Sequence, residues 1–203
     1  MFQFVFPQDK AISKEVFKLA YPVIVSNLSR VLMSIFDVAM VGRLGAEALA
    51  ATGMGAMMLW GALSLVLGIR TAVQTVASRR LGQKMDHEAG TAFHNGLFMA
   101  TIYALPMSVA GWLWAKDIIP FFIDDVIATP LTVDYASIIF LSLLFSAYSF
   151  VFQGFYTGVE KTKIHMSVTI TSNVINVYLN AGLIYGSEGV KSFFSETIPA
   201  LSF

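Results

Sequence analysis

Cysteine is missing from this sequence, and charge is scarce. With no cysteine there is no disulfide framework and no thiolate metal site. Charged residues make up 13% of the chain, against the roughly 25% usual in a soluble domain. Lysine and arginine balance aspartate and glutamate, so the net charge is zero and nothing points to nucleic acid. No serine-nucleophile motif, phosphate loop or dinucleotide fingerprint is present, which argues against an enzyme. His87, His94 and His165 have no acidic or cysteine partners at ligand spacing and read as solvated or interfacial groups. The N-terminus, MFQFVFPQDKAISKEVFKLA, has scattered charges and no A-x-A-like cleavage site, unlike a removable signal peptide.

What fills the chain instead is apolar: 56% of it is hydrophobic. The apolar runs are continuous and do not alternate at period two, which disfavours a β-barrel. Several are long enough to cross a ~30 Å hydrocarbon core as helices. The expected fold is an all-α integral membrane protein, a polytopic helix bundle occupying residues 1–203 as one transmembrane domain.

Residues 1–18 form a short amphipathic lead. Five spans are expected at about 19–41, 49–76, 92–115, 131–157 and 164–185. The connections are RLGAEA (Arg43 to Ala48), a charged loop from Ser78 to Glu88, an acidic loop from Lys116 to Pro130 with Asp117, Asp124 and Asp125, and EKTK (Glu160 to Lys163). The remainder, Gly186 to Phe203, reads as a loop and the start of another apolar segment, ending PALSF. Trp112 and Trp114 suit an interfacial belt. Gly154 and Gly158 form a small-xxx-small pair that favours close helix approach.

Lys10, Lys14, Lys18, Arg79, Arg80, Lys84, Lys161 and Lys163 fall on one side of these spans, and Arg43, Lys116 and Lys191 on the other. By the positive-inside rule the N-terminus is expected in the cytoplasm.

Polar groups inside the spans carry the functional signal. Asp37 lies in the C-terminal third of the apolar stretch Tyr21 to Gly42. A carboxylate deep in a membrane helix costs about 2.5–3.5 kcal/mol on the insertion scale, and such groups usually face a bundle interior or wet cavity. The plainer alternative is an acid that reaches the interface or pairs with Arg30, seven residues earlier on the same face, with Asn27 one turn before that. Span five carries Asn173, Asn176 and Asn180, whose offsets of three and four share one helix face. Two uses are open to them. They serve as interhelical hydrogen-bonding glue worth ~0.6 kcal/mol per bond, or they line a cavity with Asp37. Asn27, Arg30 and Gln153 are weaker cavity candidates, and Pro22 is a candidate bend. Side-chain oxygens of Asp37 and the asparagines suit a hard cation such as sodium, whereas a proton needs only Asp37.

Four motifs resemble one family, in that family's order. They are P-x14-D-x3-VGRLG from Pro22 through Asp37 to Gly45, TAVQTVASRRLGQ (Thr71 to Gln83), QGFYTGVEKTK (Gln153 to Lys163) and NVINVYLNAGLIYG (Asn173 to Gly186). Together they are similar to the multidrug and toxic compound extrusion (MATE) transporters over most of residues 15–186. The resemblance implies five helices of a six-helix N-terminal lobe in a twelve-span protein of the cell (inner) membrane. It implies export of organic, often cationic or amphipathic, small molecules in exchange for protons or sodium, with no other cofactor. It also implies that Asp37, Asn176 and Asn180 hold the coupling cation. Some members have an acid at the place of Asn180, which leaves Asp37 as the one N-lobe carboxylate of that site. The chain stops before a complete sixth helix, so it is expected to be a fragment whose second lobe follows in cis or comes from a partner half. Two competing readings are a lipid-linked oligosaccharide flippase of the same superfamily and a non-transporting structural membrane protein.

Overall fold

The computed structural model describes residues 10–123 and 125–197. Residues 1–9 of the amphipathic lead, Asp124 and the closing stretch with PALSF lie outside the described residues. Six helices follow one another: α1 (Lys10–Gly42), α2 (Ala46–Gly82), α3 (Asp86–Phe122), α4 (Ala128–Leu141), α5 (Leu143–Gly158) and α6 (Thr162–Thr197). The fold is all-α, as expected for a polytopic bundle. From Ile12 onward α1 is long and apolar enough to cross a membrane, as are α2 and α3, and so is the pair α4 and α5 taken together. Over its described residues α6 does not reach that apolarity, because Asn173, Asn176 and Asn180 dilute its run.

The helices outrun the expected spans. With 37 residues each, α2 and α3 are about 55 Å long at 1.5 Å per residue, well beyond the hydrocarbon core. Lysine, arginine and glutamate are good helix formers, so nothing stops the helix where it leaves the apolar layer. Most of the expected charged loop is therefore helical, and only residues 83–85 connect α2 to α3. In the same way Lys116 to Phe122 belong to α3, and residues 186–197, expected as a loop, continue α6.

Two connections stop the helix by the same device. Lys84 (φ 60°) and Glu160 (φ 62°) adopt the left-handed conformation after α2 and α5. The next amide reaches back across the turn, from Met85 to the Arg80 carbonyl at 2.9 Å and from Lys161 to the Tyr156 carbonyl at 2.9 Å. These are Schellman-type ends, which satisfy carbonyls the helix leaves open and redirect the chain at once. Gly45, between α1 and α2, has φ 118°, a value side chains other than glycine's rarely allow.

The expected fourth span is not one straight helix. It breaks at Ser142 into α4 and α5, which are bent by 47°. Ser142 donates its amide to Ile139 three residues back, and its hydroxyl bonds the same carbonyl at 2.7 Å. Helix α3 accommodates the break. The Ser108 hydroxyl donates to the Phe140 carbonyl at 2.7 Å, and a Cβ at Gly111 would collide with the Phe140 ring. Breaks inside apolar surroundings persist where neighbouring side chains take up the freed backbone groups.

The chain divides into two compact units, Val41–Lys161 and a pair of terminal segments, Met1–Met40 with Thr162–Phe203. In the first unit α2 packs on α3, α4 and α5, and α3 packs on α4 and α5. Its core is Ala62, Leu63, Val66 and Val73 of α2, Ala100 and Ala104 of α3, and Leu143, Ala147 and Val151 of α5. Large side chains such as Phe98, Ile138 and Phe145 point outward. Small residues inside and large apolar residues outside is the pattern of helices that pack closely and face lipid. Helix α5 meets the backbone of α2 itself. A Cβ on Gly154 would lie 2.5 Å from the Arg70 carbonyl oxygen, and one on Gly158 would lie 2.6 Å from that of Gln74. Tyr103 adds a bond from α3 to the Ala62 carbonyl at 2.7 Å, and Thr101 and Tyr148 join α3 to α5 at 2.7 Å.

Candidate functional site

The second unit is built from α1 and α6. On α1 the positions Pro22, Ser26, Ser29, Met33, Asp37 and Met40 recur at steps of three and four, so they form one stripe. Pro22, Ser26, Met33 and Met40 are buried, while Ser29 and Asp37 are half-buried. The rest of α1 is dominated by exposed apolar side chains such as Tyr21, Ile24, Val31 and Ile35. On α6, Asn173 and Asn180 are half-buried and Asn176 is exposed.

Hydrogen bonds connect the two polar faces. Asn180 Nδ2 donates to Asp37 Oδ1 at 2.9 Å and to Asn176 Oδ1 at 2.7 Å. With Asp37 ionised the carboxylate only accepts, which matches the Asn180 nitrogen beside it. Both amide hydrogens of Asn180 are thereby used. Further along α1, Asn173 Nδ2 donates to Ser29 Oγ at 2.9 Å. The three residues singled out as a cation site therefore form one connected chain, and Asn173 joins the same helix pair through a separate bond.

Other candidates stand apart from this chain. Arg30 is half-buried, and no hydrogen bond or ion pair joins it to Asp37 among the described residues. Asn27 is exposed. Gln153 belongs to α5 of the other unit, where it is buried at 4% exposure. Helix α1 runs through Pro22 without a break. The Ser26 hydroxyl donates to the Pro22 carbonyl at 2.7 Å.

Ser29 was not among the sequence candidates. It shares a stripe with Asp37, eight positions away, and that was its only signal. Serine is common in membrane helices, and its partner here is 144 residues distant.

Chemically, the cluster presents one carboxylate and two amide groups. A proton needs only the free lone pairs of Asp37. A sodium ion needs several oxygens, and at this place Asn180 would have to turn its Oδ1 toward Asp37 in place of its nitrogen.

Known proteins resemble the chain in sequence and in fold. The family model MatE matches residues 22–181. The chain is 30% identical over 181 residues to a protein named "Probable multidrug resistance protein NorM" of Photorhabdus laumondii, covering 87% of this chain and 39% of that relative. It is 25% identical over 174 residues to the "Multidrug resistance protein NorM" of Burkholderia vietnamiensis, covering 85% of this chain and 37% of that protein. The chain thus spans a little over a third of the length of the curated relatives it matches. Among solved structures, an outward-facing multidrug resistance MATE family transporter of the MOP superfamily superposes with a TM-score of 0.80 at 20% identity, over 87% of this chain and 40% of that one. A MOP superfamily transporter from Pyrococcus furiosus gives the same TM-score of 0.80 at 20% identity. At that identity the likeness establishes the fold, and the family model covers most of the sequence: the chain belongs to the MatE family, the multidrug and toxic compound extrusion proteins that its motifs resemble.

Proposed function

We propose that the intact protein is a secondary antiporter that exports organic, often cationic or amphipathic, compounds in exchange for protons or sodium. Asp37 holds the coupling cation, with Asn176 and Asn180 beside it. The observation that carries this reading is the bond from Asn180 to Asp37. It joins the acid of α1 to a polar face of α6 through a group that an arriving cation displaces. An isolated acid on a lipid-facing side would have no such partner and no reason to bear its insertion cost.

In this reading the protein lies in a cell (inner) membrane with its N-terminus in the cytoplasm. Cation binding changes the packing of α1 near Pro22, and two lobes rock between inward and outward states about the site. Asp37→Asn in the full-length protein is expected to abolish dye efflux driven by a proton or sodium gradient. Its abundance in the membrane fraction stays at the wild-type level. Wild-type efflux from that variant refutes the assignment.

A further inference from the structure

Helices α1 and α6 are tied twice, and the two ties differ in chemistry. Asn180 to Asp37 is one, and Asn173 to Ser29 is the other. From Ser29 to Asp37 is eight residues along α1, about 12 Å of rise, and from Asn173 to Asn180 is seven along α6, about 10.5 Å. Residue numbers increase in the same direction on both helices. The two helices therefore run parallel, with registers that agree to about 1.5 Å over this length.

The tie at Asp37 contains a carboxylate, and its amide partner is exchangeable for a cation. The tie at Ser29 contains a hydroxyl and an amide, both neutral, so a cation is drawn to it less than to the carboxylate of Asp37. When a cation displaces the Asn180 amide, the Ser29–Asn173 bond is what still holds α1 in register on α6. We propose that Ser29 and Asn173 are positioning residues of the cation site. They keep Asp37 level with Asn176 and Asn180 while the Asp37–Asn180 bond is open. This rests on the reading of Asp37 as the cation site and adds two residues to it that touch no cation themselves.

The test is the cation response of Asp37 in the purified full-length protein in lipid nanodiscs. Labelling of Asp37 by dicyclohexylcarbodiimide is followed by mass spectrometry against sodium chloride at fixed pH, and against pH without sodium. Asp37→Asn serves as the unlabelled control. In the wild type the label responds to at least one of the two ions. Ser29→Ala and Asn173→Ala are expected to move the midpoint of that response about threefold or more, the worth of one membrane hydrogen bond. Ser29→Thr, which keeps the hydroxyl, restores it. A label indifferent to both ions in the wild type overturns the cation site, and this inference with it. A label that responds normally in the wild type and keeps its midpoint in folded Ser29→Ala overturns the positioning role alone.

Should the alanine variants fail to fold, the absence of native cysteine allows a second measurement. Ser29→Cys with Asn173→Cys, oxidised, fixes the register without the hydrogen bond. A wild-type midpoint in the cross-linked protein supports the proposal, and a shifted midpoint refutes it.

Discussion

Single side chains mark both ends of this protein's chemistry. At the connection before α4, Asp125 Oδ1 accepts from the amides of Ala128 at 2.7 Å and Ile127 at 2.8 Å. Those bonds hold its carboxyl below the usual carboxylate range, the Ala128 amide contributing most. The sign follows from that direction. A depressed acid gives a cap that is complete above the ordinary carboxylate value and is lost as pH falls through the lowered one. Asp125→Ala is expected to speed hydrogen exchange at Ile127 and Ala128 several-fold at neutral pH, after correction for intrinsic rates, as loss of an N-terminal cap does. The wild type should approach the variant only in acid. Equal protection in the two proteins at neutral pH would disprove the cap. Asp37 was visible in the sequence because a charge stands out in an apolar run. The three asparagines were visible through their spacing. That Asn180, rather than Asn173, goes with Asp37 came from the family resemblance and not from spacing, since it depends on how two helices slide against each other.

Among the helices, the tightest constraint is the seam between α5 and α2. Two α5 glycines meet backbone carbonyls of α2, and a carbonyl cannot rotate away as a long side chain does. Gly154→Ala is expected to cost the four-helix unit about 1–3 kcal/mol, the usual penalty for overpacking. Gly53→Ala, at an exposed position where the added Cβ meets nothing within 4 Å, should be neutral to slightly stabilising. Thermal unfolding in detergent compares them, and similar midpoints would refute the seam. The small-xxx-small pair was legible as a motif, but its partner surface was not. The break at Ser142 was invisible for a related reason. The stretch from Leu131 to Thr157 has no proline or glycine near Ser142 to announce a break, and what sustains the bend is a hydroxyl and a missing side chain on α3. Helix ends were misplaced because hydropathy reports the bilayer's thickness, whereas capping geometry at Lys84 and Glu160 decides where a helix stops.

At the scale of the molecule, the division of the chain matters more than any one contact. Alternating access by rocking needs two repeats, and this chain matches a little over a third of its relatives' length. The 203 residues reconstituted alone are expected to show no ion-driven dye transport, while a chain extended to the relatives' length does. Transport by the shorter chain would mean that it assembles a second lobe from another copy. The unit holding Asp37 is made from the two ends of the sequence, with the four helices α2 to α5 between them. During biosynthesis Asp37 therefore leaves the ribosome 143 residues before Asn180. At about 5–20 residues per second that is a wait of roughly 7–30 s. For that interval the acid-bearing helix has no native partner for its carboxylate. Any insertion cost of that carboxylate is therefore borne before the α6 amide that later bonds it has been made.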